Sequence, residues 1–158
     1  MIPVTYNPIQ DNLDPSADHE LAFEFPADPC YLTIVRRLVG DLAALRGFDP
    51  DAAHDIQIAA DEACANAMQH GCRSGRDRIR ICIVCGPEGL VIDVIDWGDG
   101  FAIDNHVRRP LREILQSMPS RGMGLPIIRT LMDEVAYEAG TPKGNVLRMR
   151  KTREPRAV

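Results

Sequence analysis

Glu62 and Asn66 stand in the stretch of this sequence that concentrates groups able to move a proton or hold a metal: Asp61-Glu62-Ala63-Cys64-Ala65-Asn66-Ala67-Met68-Gln69-His70-Gly71. If the stretch is helical, these two residues, four apart, stack on one face. At about 100° per residue, Ile56, Ala59, Ala60, Ala63, Cys64 and Ala67 form one apolar arc, with Glu62 and Asn66 at its margin. A carboxylate and an amide oxygen held on a rigid helix beside the core suit a general base and a hard-metal ligand. The same pair would also serve as ordinary polar residues flanking a buried stripe.

A second constellation is Asp96-Trp97-Gly98-Asp99-Gly100, which closes an alternating run. Asp96 shares a strand face with Ile92 and Val94, so its carboxylate arrives at the core edge and needs a partner there. As an acceptor-only group it would read the amino group of an adenine, and Gly98 and Gly100 would let backbone approach a ligand closely. The alternative is a loop acid capping local amides. A third is Arg121-Gly122-Met123-Gly124-Leu125, opening a helix. Glycines at a helix N-terminus expose unpaired N–H groups and the positive end of the dipole, which favours phosphate. It is not a Walker loop, because neither Lys143 nor Lys151 stands in a Gly-x-x-x-x-Gly-Lys setting.

The elements that must carry these groups follow from periodicity and turn residues. Residues 1–19 are polar, with Pro3, Pro8 and Pro15, and read as a loose arm; residues 21–25 alternate as a short strand. Asp28-Pro29 and Asp49-Pro50 each place an acid before a first-turn proline, opening helices that run to Gly47 and Gly71. Residues 78–85 and 90–97 read as strands joined across Gly86-Pro87-Glu88-Gly89. A short helix over 111–118, a helix after Gly124 with Pro126 in its first turn, and strands over 135–138 and 146–150 complete the chain. The order predicts an α+β fold, a two-layer sandwich with helices on one face of a mainly antiparallel mixed sheet. Residues 20–152 form the domain, and 153–158 a tail.

Composition bounds the function classes. A chain of 158 residues is one domain with room for a core. No apolar run approaches the roughly 18–20 residues of a membrane span. A net charge of −5 argues against neutralising nucleic-acid phosphates, and few aromatics argue against base-stacking platforms. The first residues lack a signal-peptide pattern, so a cytoplasmic chain with its five cysteines reduced is expected. Cys82 and Cys85 have metal-pair spacing, but three apart on a strand they face opposite sides and read as structural thiols.

Taken in order, the three constellations resemble the N, G1 and G2 boxes of the histidine-kinase-like (GHKL, Bergerat-fold) ATPases, over residues 21–151. The Glu-x-x-x-Asn-Ala-x-x-His-Gly box and the ending Arg-Gly-Met-Gly-Leu…Leu131-Met132-Asp133-Glu134-Val135 are similar to the bacterial anti-sigma-factor serine kinases of the RsbW and SpoIIAB type. The resemblance implies that Asn66 holds Mg²⁺ against ATP phosphates, Glu62 is the catalytic base and Asp96 binds the adenine amine. It implies that Gly98 and Gly100 admit the nucleotide, and that Gly122, Met123 and Gly124 cradle phosphates, with Arg121 and Leu125 beside them, beneath a lid over 101–120. Arg108, Arg109, Arg112 and Arg121 lie in or next to that lid, one of them a candidate for the γ-phosphate and the rest a solvated basic face. The implied activity is an ATP-dependent serine/threonine-protein kinase that phosphorylates an antagonist protein on serine and sequesters a sigma factor, as a homodimer binding ATP or ADP. A nucleotide-dependent non-catalytic switch and a water-directed ATPase are the alternatives. Two features depart from the family: Lys143-Gly144-Asn145-Val146 stands where relatives often have threonine, and there is no phospho-accepting histidine domain, His70 lying inside the first box.

Overall fold

Alternation of Ile79, Ile81, Ile83 and Cys85 with Arg78, Arg80, Cys82 and Val84 gives the second strand one apolar and one mixed face, and the apolar set is fully buried. The computed structural model describes residues 19–71, 77–100 and 124–153. The elements are β1 (His19–Pro26), a 3-10 turn (Pro29–Tyr31), α1 (Leu32–Leu45), α2 (Pro50–Asn66) continued by a π turn (Ala67–Gly71), β2 (Arg78–Gly86), β3 (Gly89–Asp96), α3 (Gly124–Leu131), β4 (Glu134–Thr141) and β5 (Gly144–Thr152). The expected arm before His19, the lid with Arg108, Arg109 and Arg112, the helix over 111–118, and Arg121, Gly122 and Met123 lie outside the described residues, as does 154–158.

The five strands run in the order β1-β2-β3-β5-β4, and every pairing is antiparallel, where the sequence allowed a mixed sheet. The two helix starts differ from a simple N-cap picture at one point. Asp49 caps α2 by accepting from Ala52 N at 2.9 Å, whereas Asp28 accepts from Cys30 N and caps the 3-10 turn that precedes α1. Ile56, Ala59, Ala60, Ala63, Cys64 and Ala67 are all buried, the arc expected of α2, and pack with Val35, Val39 and Ala43 of α1 over the sheet residues Ile81, Ile92 and Met149. Each isoleucine taken out of water contributes about 1.5–3 kcal/mol. Ion pairs line the opposite sheet face: Glu24 with Arg78 and Arg80, Asp93 with Arg148, and Glu134 with Arg150.

Gly40 explains how closely α1 and α2 approach. Glycine inside a helix costs about 1 kcal/mol relative to alanine, yet a Cβ at this position would lie 1.6 Å from Gln57 Nε2 and 2.5 Å from its Cδ. Gly40→Ala is expected to destabilise by about 1–3 kcal/mol through overpacking. In the Gln57→Ala background the same change should stabilise instead, by about 1 kcal/mol. Chemical denaturation of the four proteins checks both signs.

Cys82 and Cys85 fall on opposite faces, as the strand period requires, and among the described residues no group of three or more His, Cys, Asp or Glu could hold a metal. Burial, and then the charge of Asp61, pushes the Cys64 thiol up to about 12, and burial raises Cys85. The Asp28 carboxylate raises the Cys30 thiol too, so access decides, and iodoacetamide at pH 8 should modify exposed Cys30 well before buried Cys64 or Cys85 in the folded protein. Peptide mapping that found Cys64 alkylated first would contradict this packing.

Candidate functional site

Asp96 ends β3 on the face that carries Ile92 and Val94, and it is only 5% exposed. Its register partner across β3 and β5 is Asn145, itself 3% exposed. Asn145 Nδ2 donates to Asp96 Oδ1 at 2.8 Å and to Gly98 O at 3.0 Å, while Asn145 Oδ1 accepts from Gly140 N at 2.9 Å. Gly98 N also donates to Asp96 Oδ1, at 2.9 Å. The carboxylate the sequence placed at the core edge thus has the partners burial demands.

Two glycines let this corner close. Gly144 sits at φ +108, where a Cβ would be 2.4 Å from Asp96 O; Gly100 sits at φ +71, with Asn145 Oδ1 and the Tyr137 hydroxyl each 3.1 Å from a Cβ position. Both conformations favour glycine, and at Gly144 the Asp96 carbonyl also leaves no room for a side chain.

Glu62 and Asn66 stand one turn apart near the C-terminal end of α2, each partly exposed beside the buried arc. The neighbouring acid, Asp61, is committed elsewhere: Arg36 Nη2 of α1 donates to its Oδ2 at 2.5 Å. Glu62 enters none of the ion pairs among the described residues. Past Asn66 the helix widens into the π turn rather than running on as α-helix to Gly71, a distortion frequent at functional sites. That turn packs against β3, and α2 packs against α3.

The junction of α2 with α3 is close. A Cβ on Gly124 would lie 2.6 Å from both Nδ2 and Oδ1 of Asn66, so the first residue of α3 rests directly on that carboxamide. Leu125 packs against the core and seats the same turn. At its other end α3 is held by Lys151, whose Nζ donates to Leu131 O at 2.6 Å. Residues far apart in sequence are thereby gathered: Asn66 with Gly124, and the Asp96–Gly100 segment with Asn145. Asn145 is the site residue that sequence reasoning passed over as a departure. The available signal was a polar residue on the same strand face as Leu147 and Met149, where alternation calls for an apolar side chain.

The model of the histidine kinase-like ATPase domain matches residues 25–151. The chain belongs to that family. It is 31% identical over 126 residues to the serine-protein kinase RsbW of Bacillus licheniformis, covering 76% of this chain and 78% of that protein. The RsbW of Bacillus velezensis is 30% identical over 127 residues, covering 77% and 79%. These relatives place the chain in the RsbW-type branch of the family. The solved RsbU and RsbW domains of Rv1364c from Mycobacterium tuberculosis share the fold, with a TM-score of 0.61 at 20% identity over 87% of this chain and 33% of that one. The chain spans about a third of that structure's length. The family's fold, an α+β sandwich, is the one the antiparallel sheet and its helices form.

Proposed function

We propose that this RsbW-type ATPase domain is a serine-protein kinase that also acts as an anti-sigma regulatory factor. The observation that carries the reading is Glu62, outside any described ion pair, one turn before an Asn66 that α3 holds in place through Gly124. ATP would bind with its adenine amine against Asp96 and its phosphates toward the start of α3, where helix N–H groups favour anions. Asn66 fits a magnesium ion, since its amide oxygen is a hard donor and magnesium takes few protein ligands beside phosphate oxygens and water. When bound, the ion supplies charge neutralisation at the phosphates. Glu62 then accepts the proton of a serine hydroxyl on the antagonist protein. The serine oxygen forms a bond to the γ-phosphorus, the bond to the bridging oxygen breaks, and ADP leaves with that electron pair.

The product explains a switch. Phosphoserine carries about −1.5 to −2 charge, and this chain is itself at −5, so repulsion would weaken the antagonist complex and leave the kinase for its sigma factor. The homodimer and the cytoplasmic location implied by the family resemblance belong to the same proposal; among the described residues no helix is long and apolar enough to cross a membrane.

Calorimetric titration with ATP in magnesium tests the nucleotide site. Asp96→Asn replaces one acceptor oxygen by a donor and should weaken ATP about 10–100-fold, the value of a hydrogen bond to a charged group. Transfer of γ-phosphate to a serine-bearing antagonist tests the kinase. Binding with no transfer would favour a non-catalytic switch, and release of inorganic phosphate without antagonist would favour attack by water.

A further inference from the structure

We propose that Lys151 is a positioning residue for the phosphate end of the nucleotide site: its ammonium, gripped between α2 and α3, fixes where the start of α3 rests on Asn66. Resting on the nucleotide site proposed above, this role begins with a lysine in an unexpected row. Asn145, Leu147, Met149 and Lys151 share the helix-facing side of β5, where alternation calls for apolar side chains, and the register partner of Lys151 is the buried Leu90. The lysine side chain is only 17% exposed. A charge so placed needs partners, and it has two. Nζ donates to Leu131 O at 2.6 Å and lies 3.7 Å from Asp55 Oδ2 in the first half of α2.

Those partners tie two helices to β5 at the end remote from the site. Leu131 closes α3, and its carbonyl is one of those a helix leaves without an internal partner, at the negative end of the dipole, where a cation belongs. The chain leaving the helix is fastened to the same strand: Asp133 N donates to Arg150 O at 2.9 Å, and Thr152 N and Oγ1 both donate to the Asp133 carboxylate. Lys151 differs in gripping the last helical carbonyl itself and linking it to α2. A helix of eight residues is about 12 Å long and moves as one piece, here with Ile128 fully buried on its inner side. A shift at Leu131 is therefore delivered at Gly124. There the packing has no slack, since Asn66 Nδ2 and Oδ1 stand 2.6 Å from a Gly124 Cβ position. α2 thus meets α3 twice, directly at Asn66 and through Lys151 at Asp55, about three turns earlier.

The experiment is calorimetric titration of the full chain with ATP in magnesium, well below the unfolding temperature, for wild type, Lys151→Met, Lys151→Arg, Asp55→Asn, Gly124→Ala and the double variant Lys151→Met/Gly124→Ala. Global stability does not enter the affinity of a chain that is almost wholly folded, so a residue that merely stabilises the fold lowers the melting temperature and leaves the affinity alone. Lys151→Met, which keeps the length and loses the charge, should weaken ATP about tenfold, the value of one hydrogen bond to a charged group. Lys151→Arg keeps charge and donors and should return to within about threefold of wild type. Gly124→Ala displaces the same contact, so in the double variant the two losses should combine to less than their product. If Lys151→Met does not fold, Asp55→Asn, which leaves the Leu131 bond in place, should still weaken ATP about threefold. An affinity unchanged in folded Lys151→Met, or in Asp55→Asn should the former not fold, overturns the assignment and leaves Lys151 a purely structural residue, with the nucleotide-site reading standing. Losses that multiply in full with Gly124→Ala overturn it too. Wild type that binds no ATP overturns the nucleotide-site reading and this inference with it.

Discussion

Glu62→Gln is expected to lower phosphoryl transfer by about 10²–10⁴-fold, the contribution of a positioned general base, while ATP affinity stays within about threefold. Glutamine keeps the shape and polarity at the margin of the buried arc, so α2 should pack as before. What it cannot do is take a proton. Asp61 will not substitute, because Arg36 holds its carboxylate from the neighbouring helix. Single-turnover transfer to an antagonist, measured beside ATP binding, separates the two quantities. Transfer at the wild-type rate would remove Glu62 from the chemistry.

Gly124→Ala should show activity and stability moving in opposite directions. Alanine favours a helix over glycine by about 1 kcal/mol in an interior and by less at a first position, so α3 taken alone gains slightly. The new methyl, however, would sit 2.6 Å from both amide atoms of Asn66, and that side chain must move. Misplacing a catalytic contact by an ångström costs about 10²-fold, and transfer should fall by that order while the melting temperature stays level or rises. ATP titrations with and without magnesium locate the loss. It should appear in the magnesium-dependent part of the affinity, since Asn66 is the residue proposed to hold the ion. A variant with unchanged magnesium dependence would show that the glycine is needed only for the turn itself.

The strands and helices were legible because burial imposes a local period. Every second residue of β2 had to be apolar, and the arc from Ile56 to Ala67 had to recur at helical spacing, before any tertiary contact was known. The same local rule put Asp96 on the buried face with Val94 and Ile92. Local rules were weaker at element ends. The 3-10 turn before α1 and the π turn after Asn66 depend on what the backbone must reach, and the residue types there permit an ordinary helix equally well.

By itself, then, the sequence determined which groups exist and which faces they occupy: Glu62 and Asn66 on one margin of α2, Asp96 at the core edge, and the glycines that follow it. Only the tertiary structure decided which of them meet. The register of β5 on β3 brings Asn145 to Asp96 across 49 residues of chain, and the packing of α3 on α2 sets Gly124 on Asn66. Both contacts depend on strand pairing and helix approach over long separations, where a register shift of one residue would turn Asn145 to the opposite face. Periodicity within a segment records which side is buried, and it holds no information about what is waiting there.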